Sequence, residues 1–352
     1  MQVGLQLVCQ NFQKIPDAEA FRQEMKLALE AEAMGFDVIG VVEHHFADYA
    51  MCPDNTQFLS YIAAKTKRIK LMTAAIILPW NDPLRVVEKC IMLDILSDGR
   101  LHVGFGRGLS PLEFGGFRVD MANSREMFDE AAEMIARGLE TGIVEGNGKF
   151  FKQPRYEVRP RPEKSFKDRI CMVGMSPSSV EIAGKLGFGT LKFSNVSWVD
   201  AMPEVDLYRK VFKQYQGKEA PPLIINDFLV CFNDAKKTKE FTDKYFRKYY
   251  ESVLEHYMLG GDHLKKIPSY ANYVEQGKKA MERGLDKAYQ DYIGANLIGS
   301  PEEIWEHHLE RKEIVGDYDV TINVSYGGMD YADSMEQLKL FADKLLPKFK
   351  AS

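Results

Sequence analysis

The chain has few cysteines, no basic tract and no long apolar run, and each scarcity removes a class of function. Its five cysteines, Cys9, Cys52, Cys90, Cys171 and Cys231, are scattered and odd in number. Set mostly among apolar neighbours, they read as buried thiols of a reducing compartment, so a cytoplasmic location is expected. No Cys-x-x-Cys, His-x-x-x-His or EF-hand spacing offers metal ligands, and no metal is expected. The formal net charge of -5 arises from interspersed signs, so no nucleic acid or membrane surface is expected as a partner. No segment approaches the roughly 18 apolar residues of a membrane span, and the N-terminus enters a strand without a basic lead, so neither membrane insertion nor secretion is expected. No Ser or Cys sits in a G-x-S-x-G elbow, which argues against covalent catalysis.

What is present is alternation. Apolar, strand-like runs begin at Val3, Val38, Ile69, Leu101, Ile170, Thr190, Leu223 and Val320, and each precedes a stretch of helical periodicity. The expected helices span 18–34, 57–65, 83–96, 124–141, 177–186, 203–215, 235–256 and 334–346. Eight such pairs predict an α/β fold, a single (β/α)₈ TIM barrel over 1–352. Two stretches break the rhythm. Residues 145–161 read as a hairpin insertion after the fourth helix, closing one end of the barrel. Residues 257–299, after the seventh unit, read as a lid with Gly260-Gly261 and Gly294 as hinges, or as a dimer contact.

Glu43-His44-His45-Phe46 follows the second apolar run, and the carboxyl ends of barrel strands form the catalytic rim. Successive residues of a strand point to opposite sides, so Glu43, His44 and His45 cannot converge on one ion from extended backbone. One histidine, preferably His44, therefore reads as an acid/base group. After the fourth run, Gly104-Phe105-Gly106-Arg107-Gly108 lacks dinucleotide spacing but presents Arg107, a guanidinium suited to phosphate or carboxylate. Arg125 could reach the same anion. Ser176 reads as a helix N-cap with Pro177 at the first helical position, leaving the amides and hydroxyls of Ser178 and Ser179 free for an anion. His307-His308 reads as a solvated face of a charged helix.

These residues resemble the luciferase-like flavin monooxygenases, especially the luciferase alpha subunit, over nearly the whole chain. Glu43-His44-His45-Phe46, Thr73-Ala74-Ala75-Ile76-Ile77-Leu78-Pro79, Arg107-Gly108-Leu109 and Asn123-Ser124-Arg125 match in order and spacing, and Gly299-Ser300-Pro301-Glu302-Glu303 fits a late helix start. The resemblance implies an enzyme that binds reduced FMN made by a separate flavin reductase, adds O₂ at the flavin C4a and oxygenates a small organic substrate. His44 would be the catalytic acid/base. Ala74 and Ala75 would form a non-proline cis peptide beneath the ring system, and Arg107, Arg125, Ser176 and Ser179 would hold the phosphate, with Gly106, Met175 and Ser178 beside the cofactor. A homodimer through the early βα units is implied as well.

Gly106 stands where luciferase alpha has a reactive cysteine and Met175 where it has a glutamate, so light emission from long aldehydes is not implied. The expected substrate pocket is apolar and aromatic, drawn from His45, Phe46, Trp80, Phe193 and Tyr326 with Phe12, Tyr49 and Trp198. Two alternatives stay open: a hydride-transferring oxidoreductase using deazaflavin F420, and a flavin-binding protein without turnover.

Overall fold

The computed structural model describes residues 1–259 and 261–352, apart from the side chains of 276, 279–281 and 283. The Gly260 hinge expectation therefore lies outside the described residues. Eight strands, β1 (Val3–Leu7), β2 (Val38–Val41), β3 (Lys70–Thr73), β4 (Leu101–Gly106), β5 (Ile170–Val173), β6 (Gly189–Phe193), β7 (Leu223–Cys231) and β8 (Tyr318–Asn323), run parallel and pair in chain order. Val3 of β1 faces Val320 of β8, which closes the sheet into a TIM barrel. Buried valines, leucines and isoleucines fill the space between the strands and the surrounding helices.

The helices are α1 (Asp17–Met34), α2 (Asn55–Lys65), α3 (Pro83–Leu96), α4 (Ser124–Thr141), α5 (Pro177–Leu186), α6 (Trp198–Gln216), α7 (Pro301–Val315) and α8 (Tyr331–Lys344). Local chemistry fixes their ends. Asp54, Asp82, Ser176 and Ser197 each accept an amide from the first turn of α2, α3, α5 and α6. Ser300 and Glu303 form a reciprocal capping box at α7. Glycines in left-handed conformation end α1, α4, α5 and α6, where a side chain would be strained.

Three expectations are corrected. α6 begins at Trp198, five residues before Pro203, because Ser197 supplies a cap and the proline is carried inside the helix. The seventh barrel helix is α7 and not 235–256; α7 lies against both α6 and α8, the slot that a barrel reserves for it. His308 is fully buried and bonded to Tyr318 Oη at 2.6 Å, so that face of α7 turns inward.

The excursion after β7 therefore starts at Ala235. It comprises helix Ala235–Phe241, a π turn at Thr242–Phe246, helix Arg247–His256 and the helices Asp262–Lys265, Ala271–Arg283 and Leu285–Ala295. The strand Leu297–Gly299 then returns the chain to the end of β7. The hairpin Ile143–Asn147 with Lys152–Glu157 follows α4 and precedes β5; its first strand packs on α4 and its second is mostly exposed. All five cysteines are buried and free, in line with the thiol reading. Among the described residues no helix is long and apolar enough to cross a membrane.

Candidate active site

His44 stands three residues beyond β2. Its Nδ1 lies 2.8 Å from Oε1 of Glu113, a residue of the short helix Pro111–Phe117 above β4. The same oxygen accepts the His45 amide at 2.8 Å. Burial pushes the Glu113 carboxyl up, but His256, His44 and the His45 amide outweigh it and bring the pKa down to about 2. An ionised Glu113 can only accept, so the contact places a proton on His44 Nδ1 and turns Nε2 towards the cavity. Nε2 faces Tyr257 Oη at 3.3 Å. Tyr257 in turn meets Tyr49 Oη at 3.5 Å, so a chain of ionisable groups runs from Glu113 into the cavity.

Glu43 and His45 do different work. Glu43 accepts from the Ile77 amide, Trp80 Nε1 and Asn81 Nδ2, which ties the end of β2 to the loop after β3. His45 leans on Phe117 at 4.6 Å and on Glu43. Neither pairs with His44 side chain to side chain, so the two histidines of the dipeptide have separate partners, Glu113 for His44 and Glu43 with Phe117 for His45.

The anion cradle assembles at the ends of β4 and β5. Arg125 donates from Nη2 to Ser178 Oγ at 3.2 Å and Ser179 Oγ at 2.9 Å, while Ser176 Oγ caps α5 and meets Ser179 Oγ at 2.9 Å. Burial and then the neighbouring Arg107 charge lower the Arg125 pKa, the mark of two cations held close together. Among the described residues no carboxylate pairs with Arg107; its guanidinium lies 3.8 Å over the Tyr270 ring, and Nη1 is buried without a partner. Two guanidinium groups, three hydroxyls and a helix N-terminus fit a phosphate dianion.

Between cradle and histidine lies a flat backbone surface. The Ala74–Ala75 peptide is cis. Gly104 sits so close to Thr73 that an added Cβ would come 2.2 Å from its carbonyl oxygen, and one at Gly106 would meet Ile77 Cδ1 at 2.6 Å. The departure from a cysteine at position 106 is thus matched by an isoleucine filling that space. Met175 is tied in place by the Phe193 amide on its sulfur and by Asn272 on its carbonyl.

A cavity of about 730 Å³ is lined by His44, Ala74, Ala75, Gly106, Arg107, Met175, Ser179, Phe193 and Tyr49 among others, whereas Arg125, Ser176 and Ser178 do not line it, and Arg125 and Ser176 meet it through their bonds to Ser179. Several expected pocket residues lie elsewhere. Phe46 is 60 % exposed. Trp80 stacks on Phe117 and is held by Glu43, and His45 braces the same aromatic group. Tyr326 is buried with Oη on the Leu229 carbonyl, Trp198 lies under Arg311, and Phe12 lies beneath Lys248. The excursion supplies their replacements: Tyr249, Tyr250, Tyr257 and Tyr273. The spacing Tyr249, Val253, Tyr257 is a helical stripe and carried that signal in the sequence. Glu113, Lys192 and Asn272 also line the cavity and were not anticipated.

Comparison with known proteins agrees with this geometry. The family described as luciferase-like monooxygenase matches residues 1–318. An alkanal monooxygenase alpha chain from Photorhabdus luminescens is 25 % identical over 99 % of this chain and 97 % of its own. The monooxygenase RslO1 from Streptomyces bottropensis superposes with a TM-score of 0.85 at 25 % identity, covering 99 % of this chain and 100 % of its own. The fold alone is shared with the oxygenating constituent of 3,6-diketocamphane monooxygenase from Pseudomonas putida, solved with FMN (TM-score 0.75, 17 % identity, 99 % and 98 % covered), and with an F420-dependent tetrahydromethanopterin reductase from Methanopyrus kandleri (TM-score 0.70, 20 % identity, 99 % of each covered). With a family match over nine-tenths of its length and a rim built as described, the chain belongs to the luciferase-like monooxygenases.

Proposed function

We propose that the protein takes up reduced FMN from a separate flavin reductase and uses it with O₂ to oxygenate a small apolar or aromatic molecule. One observation carries this reading: a single cavity is lined at one side by Arg107 and by Ser179, to which Arg125 and Ser176 are bonded, and at another by the His44–Glu113 pair. Arg107, Arg125, Ser176, Ser178 and Ser179 would hold the FMN phosphate, and Ala74, Ala75, Gly106 and Met175 would flank its ring system. The bound reduced flavin supplies the electrons that activate O₂. The chain supplies position, dryness and proton handling. His44 keeps one proton at Nδ1 against Glu113 and offers Nε2 to take or return a second. Tyr249, Tyr257 and Tyr273 roof the site with aromatic surface, which excludes water and favours an apolar or aromatic substrate. Exposed Tyr61, Met92 and Leu96 on α2 and α3 support a homodimer through the early βα units.

The test is anaerobic titration with reduced FMN, followed by mixing with O₂ while O₂ uptake and peroxide release are recorded. Tight binding with O₂ uptake that changes in His44→Ala is expected. Failure to bind reduced FMN while binding F420 would replace the reading with hydride transfer. Flavin binding with no O₂ uptake would leave a carrier.

A further inference from the structure

Three atoms of metal-ligand type converge at the rim. His256 ends the helix Arg247–His256 of the excursion, and its Nε2 stands 3.7 Å from Glu113 Oε1, the oxygen that lies 2.8 Å from His44 Nδ1. The longer separation is not a hydrogen bond, and His256 Nε2 is buried without a partner. The His256 side chain is 4 % exposed and that of Glu113 1 %. Buried polar groups are as a rule paired, so an imidazole nitrogen left over beside a carboxylate asks for a ligand. The ring lies flat on Tyr49 at 4.2 Å and edge-on to His44 at 5.2 Å, which holds it in place. Ser110 Oγ donates to the His256 carbonyl at 3.3 Å and ties the start of the Glu113 helix to the end of the His256 helix. Among the described residues this is the only trio of His, Cys, Asp or Glu whose ligand atoms lie within 4.8 Å of one another.

We propose that His44 Nδ1, Glu113 Oε1 and His256 Nε2 form a binding site for a divalent transition-metal ion of the zinc class. Two imidazoles and a carboxylate are a donor set that such ions take, whereas Mg²⁺ and Ca²⁺ prefer oxygen alone. At metal–ligand distances of about 2.0–2.2 Å, tetrahedral ligand atoms stand roughly 3.3 Å apart. The separations of 2.8 and 3.7 Å fall on either side of that value, so side-chain movements of about half an ångström seat the ion. His44 and Glu113 line the cavity, and the remaining coordination position faces it. Coordination at Nδ1 moves the His44 proton to Nε2, since a metal-bound imidazole donates from its other nitrogen. Nε2 then presents an N–H to Tyr257 Oη, 3.3 Å away, and has no lone pair with which to accept a proton. Occupancy would therefore arrest turnover, a consequence that rests on the acid/base reading of His44. No short sequence motif announces the site, because its ligands come from the loop after β2, the helix Pro111–Phe117 and the excursion.

The experiment uses full-length protein stripped with EDTA and titrated with Co²⁺, whose visible spectrum reports its ligands, and with Zn²⁺ by calorimetry. One ion per chain is expected, with the strong absorption of four-coordinate Co²⁺ and its displacement by Zn²⁺. His256→Phe keeps the ring on Tyr49 and removes the nitrogens. It should weaken Zn²⁺ binding by more than about 100-fold, beyond the roughly 10- to 100-fold cost of losing an outer partner of a ligand. Glu113→Gln should do the same, whereas His263→Gln, elsewhere in the excursion, should bind as wild type does. Absence of binding by the stripped protein, or equal affinity in wild type and folded His256→Phe, overturns the proposal. If that variant fails to fold, X-ray absorption of the Zn²⁺-loaded wild type decides: two imidazoles with a carboxylate support the site, and a shell without two imidazoles overturns it. With reduced FMN and O₂, Zn²⁺ should abolish O₂ uptake in wild type and EDTA should restore it, while His256→Phe should not respond relative to its own metal-free rate. Zn²⁺ bound at the cluster with O₂ uptake unaffected would leave the site standing and defeat the acid/base reading instead.

Discussion

His44 and Glu113 are 69 residues apart in the chain and 2.8 Å apart in the fold. Glu113 is 1 % exposed and holds both the imidazole and the next backbone amide, so it fixes tautomer and ring orientation together. Glu113→Gln keeps the shape and removes the charge. Turnover with reduced FMN and O₂ is expected to fall roughly 100-fold, the usual scale for losing a poised acid/base group. Affinity for reduced FMN should stay within about threefold, because Glu113 is not part of the anion cradle. An anaerobic titration beside an oxygen-electrode assay separates the two, and a matching collapse in affinity would contradict the assignment.

Arg125 is the best-anchored cation of the cradle, bonded to Ser178 and Ser179 and 15 % exposed. If the cradle receives a phosphate, Arg125→Met should weaken FMN binding by about 10- to 100-fold, the range for losing a charge-assisted hydrogen bond. Riboflavin, which lacks the phosphate, should bind wild type and variant alike. Equal weakening of both ligands, measured by calorimetry, would show that Arg125 supports the fold instead.

How far the sequence revealed these parts depends on how local their chemistry is. The barrel rhythm and the Ser176-Pro177 helix start are written in neighbouring residues, and the structure shows both. Glu113 carries no such signature. Ser110-Pro111-Leu112-Glu113 reads as an acidic first turn, and nothing adjacent says that this turn folds back over β2. His256 was hidden because the helical stretch that it ends was assigned to the barrel wall. The aromatic residues near the rim divided the same way: Tyr49 and Phe193 line the cavity, whereas Phe46 and Trp80 belong to a cluster around Phe117 outside it. Composition tells that aromatics gather near the rim, but direction depends on loop geometry that only the fold supplies.

Glu24 is a buried acid with one oxygen on Ser325 Oγ at 2.8 Å and the other unpartnered. Burial raises its pKa to about 7. In the unfolded chain a glutamate loses its proton near 4.3, so between roughly pH 4.3 and 7 the folded state binds more protons and stability declines as pH rises. The total decline is of order 3 kcal/mol. Glu24→Gln retains an acceptor for Ser325 and cannot ionise. Its melting temperature should exceed that of wild type by roughly 5 °C at pH 8 and approach it near pH 4.5. A difference independent of pH would refute the burial argument.

Asp227 on β7 and Arg311 on α7 form a fully buried pair, with Nη1 to Oδ2 at 2.5 Å and Nη2 to Oδ1 at 3.1 Å. Arg311 Nη2 also donates to the Ala295 carbonyl at 2.9 Å, and Ser194 Oγ donates to Asp227 Oδ1 at 2.6 Å. One ion pair thus joins the residue after β6, β7, α7 and the last residue of the excursion helices. Arg311→Met would strand a buried carboxylate and should cost about 3–5 kcal/mol of stability. Asp227→Leu combined with Arg311→Met removes both charges and should recover much of that loss, since a buried pair and an apolar replacement of similar volume are close in energy. The Ala295 carbonyl would still lack its donor. Amides of the helix Leu285–Ala295 should therefore exchange faster with deuterium in the double variant, while those of β1 to β4 keep their protection. Equal destabilisation in the single and double variants would mean that the pair stabilises the fold outright. Unchanged exchange at Leu285–Ala295 would mean that the roof over the cavity is held by its own aromatic packing and not by this anchor.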